Sequence, residues 1–217
     1  MLVTTEISRF HYLTQNLPHI SHQELTRMAC QGGADWVQLR VKNQGWTEWK
    51  AIAMEVKEIC REHGAKLIIN DNPKMAAEVG ADGVHLGMKD MSPEQARKWI
   101  GPEVLIGGSA NTFEDIELMF AAGVDYIGLG PFRITETKEN LSPVLGLEGY
   151  ERIMQQMKDA NIQLPVIAIG GILPGDLHSL LRTGIHGVAV SSAINRSILP
   201  SISTENFISS IRSFVSL

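Results

Sequence analysis

Several short stretches of this chain carry residue types that can do chemistry, at spacings that bring them together. The first is Gln38-Leu-Arg40-Val-Lys42. Side chains alternate across an extended strand, so Gln38, Arg40 and Lys42 share one face. An amide and two cations aimed the same way suit an anionic ligand; an internal salt-bridge network is the alternative. The second pairs Asn70-Asp71-Asn72 with His85-Leu-Gly87-Met-Lys-Asp90. Two carboxylates beside an amide oxygen suit a hard divalent ion such as Mg²⁺, which takes one or two carboxylates and fills its shell with phosphate oxygens and water. Helix capping competes with that role, because Asp71 precedes Pro73 and Asp90 precedes Ser92-Pro93. Ser109, in Gly107-Gly108-Ser109-Ala-Asn111-Thr112, is either a phosphate donor or a cap. The loop Gly130–Lys138 places Thr135, Thr137 and Lys138 around Glu136, as an anion clamp or as a solvated loop. Gly170-Gly171 and Ser191-Ser192 close the set. Glycine lets backbone N–H groups approach an anion, and a short helix starting at Ser191 would point its positive end at the same place.

An internal repeat supplies the frame for these residues. Gly33-Ala-Asp-Trp-Val-Gln-Leu-Arg40, Gly80-Ala-Asp-Gly-Val-His-Leu-Gly87, Gly123-Val-Asp-Tyr-Ile-Gly-Leu-Gly130 and Gly184-Ile-His-Gly-Val-Ala-Val-Ser191 read alike. Each is a glycine that ends a helix, a polar turn, and a strand-type run. Four further strand candidates lie between them, at 10–14, 66–69, 104–107 and 165–169. The helical patterns are 21–31, 46–62, 73–79, 93–99, 113–121, 147–160, 174–181 and 206–215, and Ser21 with Glu24 forms a capping box. Strands alternating with helices to the very end of the chain predict an α/β fold, a single (β/α)₈ (TIM) barrel over residues 1–217, with an open doubly wound sheet as the alternative. In such a barrel the ligand-binding residues sit at the C-terminal strand ends, and the loops after strands seven and eight bind phosphate. All the residues above fall at those ends. The long polar segment 134–145, after strand six, is the expected lid.

Composition narrows the class. Of 217 residues, 44% are hydrophobic and 20% charged, as in an ordinary globular protein, and the net charge of −5 argues against a nucleic-acid binder. Cys30 and Cys60 have neither disulfide-framework nor zinc spacing, which predicts a reducing cytoplasm. A secretory signal pattern and a run of ~18 apolar residues are both lacking, so no membrane partner is expected. His85 is read as a satisfied interior histidine or a ligand contact. Trp36, Trp46, Trp49 and Trp99 are read as packing. The set as a whole amounts to one phosphate-monoester site and one richer anion site. Arg40, Lys42, Asn70, Ser109 and Lys138 with a divalent ion exceed the needs of a monophosphate and match a diphosphate of ~3 negative charges.

Taken in order, Gln38-Leu-Arg40-x-Lys42, Asn70-Asp71, Ala81-Asp-Gly-Val-His85-Leu-Gly87-x-x-Asp90, Gly108-Ser109, Gly130-Pro-x-x-x-Thr135-x-Thr137-Lys138 and Ile169-Gly-Gly-Ile172 resemble the thiamine-phosphate synthase family over nearly the whole chain. The resemblance implies a cytoplasmic transferase of thiamine biosynthesis. It would join 4-amino-5-hydroxymethyl-2-methylpyrimidine diphosphate to 4-methyl-5-(2-phosphoethyl)thiazole, or to its carboxylated form, by an Mg²⁺-dependent dissociative displacement. By this resemblance Asp71 and Asp90 hold Mg²⁺. Arg40, Lys42 and Lys138 stabilise the leaving diphosphate, and Gln38, Asn70 and Ser109 complete the pyrimidine diphosphate site. Thr135, Glu136, Thr137, Gly171, Ser191 and Ser192 hold the thiazole phosphate. A homo-oligomer is compatible with all of this.

Three positions depart from the family pattern, which often has Gln at Met88, Pro at Ile134 and His at Asn111. Met88 and Ile134 are expected to alter packing, and Asn111 to keep a hydrogen bond without a charge. Three alternatives stand beside the synthase: a thiazole tautomerase of similar architecture, a Schiff-base lyase using Lys42 or Lys138, and a non-catalytic phosphometabolite-binding barrel.

Overall fold

The computed structural model describes residues 6–134 and 143–216. Short apolar runs form eight strands: β1 (Phe10–Leu13), β2 (Trp36–Leu39), β3 (Lys66–Asn70), β4 (Gly83–Leu86), β5 (Leu105–Ala110), β6 (Tyr126–Leu129), β7 (Val166–Ile169) and β8 (Gly187–Val190). They pair in sequence order into a closed barrel. β8 returns parallel to β1 through Phe10↔Val188, His11↔Ala189 and Tyr12↔Val190. The open-sheet alternative is therefore excluded.

The helices are α1 (His22–Gln31), α2 (Trp46–Glu62), α3 (Pro73–Val79), α4 (Pro93–Ile100), α5 (Phe113–Ala121), α6 (Gly146–Asp159), α7 (Leu177–Arg182), α8 (Ser192–Asn195) and α9 (Pro200–Val215), with a 3₁₀ turn at Pro174–Asp176. Ser21 and Glu24 form the expected capping box on α1. The first glycine of all four repeat copies takes a positive φ, as the repeat requires. α9 starts earlier than the predicted 206. Its first turn is polar, but Pro200 sets the entry and the buried Thr204 hydroxyl donates to the Pro200 carbonyl at 2.9 Å. Among the described residues no helix is long and apolar enough to cross a membrane.

The core has two layers. Residues such as Tyr12, Val37, Leu67, Val84 and Ile106 face outward and pack under the helices, together with the buried thiols Cys30 and Cys60. Leu13, Trp36, Ile68, Leu105, Tyr126 and Ile167 fill the barrel interior. There His11 stacks on Trp36 at 4.3 Å between ring centroids. Gly107 and Gly128 make room for the large rings. A Cβ at 107 would lie 2.2 Å from Tyr126 Cζ, and one at 128 would lie 2.9 Å from His85 Cε1.

The packing role predicted for all four tryptophans holds for Trp36 and, against the outer layer, for Trp49. It fails for Trp46 and Trp99, which are 43% and 54% exposed. Both stand near helix ends, clear of the sheet. Trp46 donates its Nε1–H to Glu78 at 3.1 Å, and the Lys74 ammonium lies 4.8 Å from the Trp99 ring centroid.

Candidate active site

Because all eight strands run the same way, their C-terminal ends share one mouth. A cavity of about 490 Å³ opens there, lined by Arg40, Asp90, Ser109, Gly170, Gly171, Ser191 and Ser192 among others.

β2, β3 and β4 bring the charged groups together. Gln38 points into the barrel, is buried, and donates Nε2–H to Asn70 Oδ1 at 2.8 Å. Arg40 continues the same alternation to the cavity wall. The Lys42 ammonium is bonded to the Asp71 carboxylate. Asp71 adopts φ +66°, a conformation disfavoured for an L-residue. Its N–H donates to the His85 carbonyl at 2.8 Å, so β4 fixes its direction.

Capping does not account for Asp71, Asp90 or Ser109. Asn72 caps α3, accepting from the Met75 N–H at 3.0 Å. Ser92 caps α4, and Thr112 caps α5 with Asp115. Asp90 instead accepts from the Gly87 N–H at 2.7 Å, closing a tight turn. Burial pushes the Asp90 carboxyl above its ordinary range, and the neighbouring Asp71 adds to this against the opposing Gly87 bond. Two carboxylates that repel each other in this way suit a cation between them. Among the described residues there is no cluster of three His, Cys, Asp or Glu side chains that could hold a metal. A hard ion here would have to complete its shell with water or substrate oxygens, which is Mg²⁺ behaviour rather than that of zinc.

β4, β5 and β6 build the next part of the wall. His85 Nδ1 lies 3.1 Å from Tyr126 Oη and its Nε2 lies 3.0 Å from Ser109 Oγ. His85 is thus an interior histidine with partners, and it also orients a cavity-lining hydroxyl. The sequence reading had no pairing for it. The available signal was the period-two inward position of His85, with glycines facing it on the two following strands.

The loops after β7 and β8 form the opposite wall. Gly170 and Gly171 have φ of +103° and +68°. A Cβ at Gly170 would lie 2.6 Å from Pro131 Cβ, because the segment after β6 crosses directly over this loop. Phe132 and Arg133 donate backbone N–H groups to Ile169 and Gly170 at 2.9 and 3.1 Å. The Arg133 guanidinium grips Asp176 with two bonds of 2.7 and 2.8 Å and the Gly171 carbonyl at 2.7 Å. Sequence reasoning missed Arg133, since nothing local to residues 130–138 points to Asp176. Ser191 Oγ accepts from Asn195 Nδ2 at 3.1 Å, and the same buried amide donates to the Leu13 carbonyl at 3.2 Å.

Thr135, Glu136, Thr137 and Lys138, with most of the expected lid 134–145, lie outside the described residues. Among the three departures, Met88 lines the cavity and is 48% exposed, whereas Ile134 is 77% exposed. Asn111 lines the cavity and keeps its hydrogen bonds. Its amide donates to the Gly130 and Pro143 carbonyls at 3.0 and 2.9 Å, tying the two ends of the β6–α6 connection.

A closed parallel barrel with a cavity at its C-terminal mouth belongs to the (β/α)₈ class, on the face where that fold carries its active sites. Within that class, residues 12–194 match the family model described as thiamine monophosphate synthase, and the chain belongs to this family. It is 47% identical over 197 residues to the thiamine-phosphate synthase of Bacteroides thetaiotaomicron, covering 91% of this chain and 94% of the relative. Against that of Bacteroides fragilis it is 49% identical over 183 residues, covering 84% and 90%. The solved thiamine phosphate pyrophosphorylase of Pyrococcus furiosus superposes with a TM-score of 0.85 at 31% identity, covering 95% of this chain and 96% of that one.

Proposed function

We propose that this protein joins 4-amino-5-hydroxymethyl-2-methylpyrimidine diphosphate to 4-methyl-5-(2-phosphoethyl)thiazole, or its carboxylated form, giving thiamine phosphate and diphosphate, with CO₂ as a further product from the carboxylated form, in the cytoplasm. The observation that carries this reading is a single cavity with two unlike walls. One wall has Arg40 and Asp90, with the Lys42–Asp71 pair beside it; the other has Gly171, Ser191 and Ser192. A diphosphate and a phosphate monoester need such a pair of walls. The names of the relatives point the same way.

In the reaction, the bond from the pyrimidine methylene carbon to the diphosphate oxygen breaks, and the electron pair leaves with diphosphate. The thiazole nitrogen then bonds to that carbon through its lone pair. This nitrogen has no proton to lose, so the site needs no general base. The demand is charge stabilisation on the leaving group. Arg40, Lys42 and Lys138 supply it, and Asn70 and Ser109 hold the diphosphate. Gln38 orients the pyrimidine, with its amide direction fixed by Asn70. Thr135, Glu136, Thr137, Gly171, Ser191 and Ser192 hold the thiazole phosphate. Asp71 and Asp90 would hold Mg²⁺, which when bound adds positive charge beside the departing oxygens.

The test is mass spectrometry of a reaction containing the protein, both heterocyclic phosphates and Mg²⁺, with a matched EDTA control. Thiamine phosphate forming only with Mg²⁺ is the expected result. Folded protein that makes no product would reject the synthase in favour of a tautomerase or a non-catalytic binder.

A further inference from the structure

Arg40 and Lys42 lie beyond the point where the sheet can hold them. β1 pairs with β2 through Tyr12↔Val37 and Leu13↔Gln38, and the β2–β3 register ends at Leu39↔Ile69. Past that point Thr14 and Asn16 from the β1–α1 connection and His22 from α1 take over. Buried Thr14 extends the ladder, its N–H donating to the Gln38 carbonyl at 3.1 Å, and its Oγ1 accepts the Arg40 N–H at 3.0 Å. Asn16 grips Lys42 at both backbone groups. Its Oδ1 accepts the Lys42 N–H at 3.1 Å and its Nδ2 donates to the Lys42 carbonyl at 2.8 Å.

His22, the buried first residue of α1, links these two. Its Nδ1 lies 2.8 Å from Thr14 Oγ1 and its Nε2 lies 3.2 Å from Asn16 Oδ1. The donor inventory fixes the proton positions. Asn16 Oδ1 carries no hydrogen, so His22 Nε2–H must donate to it. The ring is neutral, because burial pulls its pKa down to about 4. Nδ1 is therefore an acceptor, and it takes the Thr14 hydroxyl proton while the Thr14 oxygen takes the Arg40 N–H. Each of the polar atoms at these contacts has a partner of the right kind.

We propose that His22, Thr14 and Asn16 are positioning residues: a bracket that fixes the backbone at Arg40 and Lys42, so that both cations are set for a diphosphate that the bracket does not itself touch. This rests on the diphosphate site proposed above. Lys42 is the sensitive point, because its ammonium must meet Asp71 while Asn16 alone among these side chains fixes its peptide.

The experiment compares Asn16→Ala, Thr14→Val and Thr14→Ser with the unmodified protein. Asn16 is exposed and valine matches threonine in shape, so the fold should survive both changes. Two quantities are read: calorimetric affinity for inorganic diphosphate with Mg²⁺, and KM for each heterocyclic phosphate. Asn16→Ala and Thr14→Val are expected to weaken diphosphate binding about tenfold, as misplacing a charge-bearing group does, and to raise KM for the pyrimidine diphosphate in step. KM for the thiazole phosphate should stay within about twofold, and Thr14→Ser, which keeps the hydroxyl, should restore wild-type behaviour. A merely structural role would move both KM values together, and that result overturns the bracket. So does wild-type diphosphate affinity in Asn16→Ala and Thr14→Val. If the unmodified protein neither binds diphosphate nor forms product, the proposed function falls and the bracket falls with it.

Discussion

Substituting Gly107 by alanine should destabilise the barrel far beyond the usual effect of one added methyl group. Gly107 has no left-handed backbone conformation, so no backbone strain enters and packing is the largest effect. The new Cβ would lie 2.2 Å from Tyr126 Cζ and 2.5 Å from both Tyr126 Oη and His85 Nδ1, whereas ordinary contact begins at 3.4 Å. Tyr126 would have to retreat by more than 1 Å, and it has nowhere to go. The buried rings of Trp36 and His11 pack edge-on to it at 5.5 and 5.2 Å between centroids. Overpacking of this kind costs about 1–3 kcal/mol. Losing the buried Tyr126–His85 hydrogen bond adds ~1 kcal/mol. The lower chain entropy of alanine in the unfolded state returns roughly 0.4–1 kcal/mol. The net is about 2 kcal/mol, or a Tm lower by roughly 4–8 °C for a chain of this size. Urea denaturation followed by tertiary-structure fluorescence measures it. Gly175→Ala is the control, since a Cβ there meets nothing within 4 Å, and it should leave stability unchanged or slightly raised. If Gly107→Ala stays within about 1 kcal/mol of wild type, the interior does not have the rigidity assigned to it.

Three further outcomes follow from the site. Asp90→Asn keeps an acceptor for the Gly87 N–H but removes a charge, so it should leave the fold intact and shift the Mg²⁺ dependence of turnover to higher concentration; a wild-type Mg²⁺ titration would reject the metal assignment. Arg133→Ala releases Asp176 and the Gly171 carbonyl, so it should raise KM for the thiazole phosphate while sparing the pyrimidine diphosphate, at a stability cost of ~1 kcal/mol for this partly exposed pair; equal shifts in both KM values would refute the assignment of the two walls. Acid should destabilise the protein between pH 6.5 and 4. His22 is held at about 4, so across that window the unfolded chain binds a proton that the folded one refuses, and stability falls with falling pH by up to ~3 kcal/mol from this group alone. Burial also lowers His11 and His186, in the same direction. Denaturation curves at stepped pH test this, and stability that stays flat from pH 6.5 to 4 contradicts it.

The frame is legible because a repeated glycine–polar–apolar unit alternating with helices makes parallel strands, and its recurrence to the end of the chain favours the barrel over the open sheet. The inward face of β2 was legible too, since period two places Gln38 and Arg40 together without any tertiary knowledge. The capping question at Asp71 and Asp90 was open only on residue type. Pro73 and Pro93 stand in the first turn of their helices, which makes Asn72 and Ser92 the caps and frees both carboxylates. What could not be read is what arrives from elsewhere in the chain. Arg133 finds Asp176 only because the β6 and β7 loops cross, and His22 reaches Thr14 and Asn16 only once α1 has docked on the barrel. Trp46 and Trp99 misled for the opposite reason: a large apolar ring reads as core, yet near a helix end it can lie outside with a polar partner.

These supports share one physical cause. A parallel ladder fixes the site residues within the strands, Gln38, Asn70 and Ser109, but the other described ones stand one to four residues past the strand ends, where the ladder has stopped. Each is therefore held by a borrowed contact: Arg40 by Thr14, Lys42 by Asn16, Asp71 by the β4 carbonyl of His85, Asp90 by the Gly87 N–H, and Gly171 by Arg133. These contacts are hydrogen bonds at the rim of the barrel, two of them exposed, and each contributes modestly to stability. The barrel interior around Gly107, Tyr126 and Trp36 is the reverse, with large buried area and no charge. Changes at the borrowed contacts should then cost function at nearly constant stability, and changes in the interior should cost stability first. At His85 the two regimes meet, because one imidazole is packed into the interior on its Tyr126 side and holds a cavity hydroxyl on its Ser109 side.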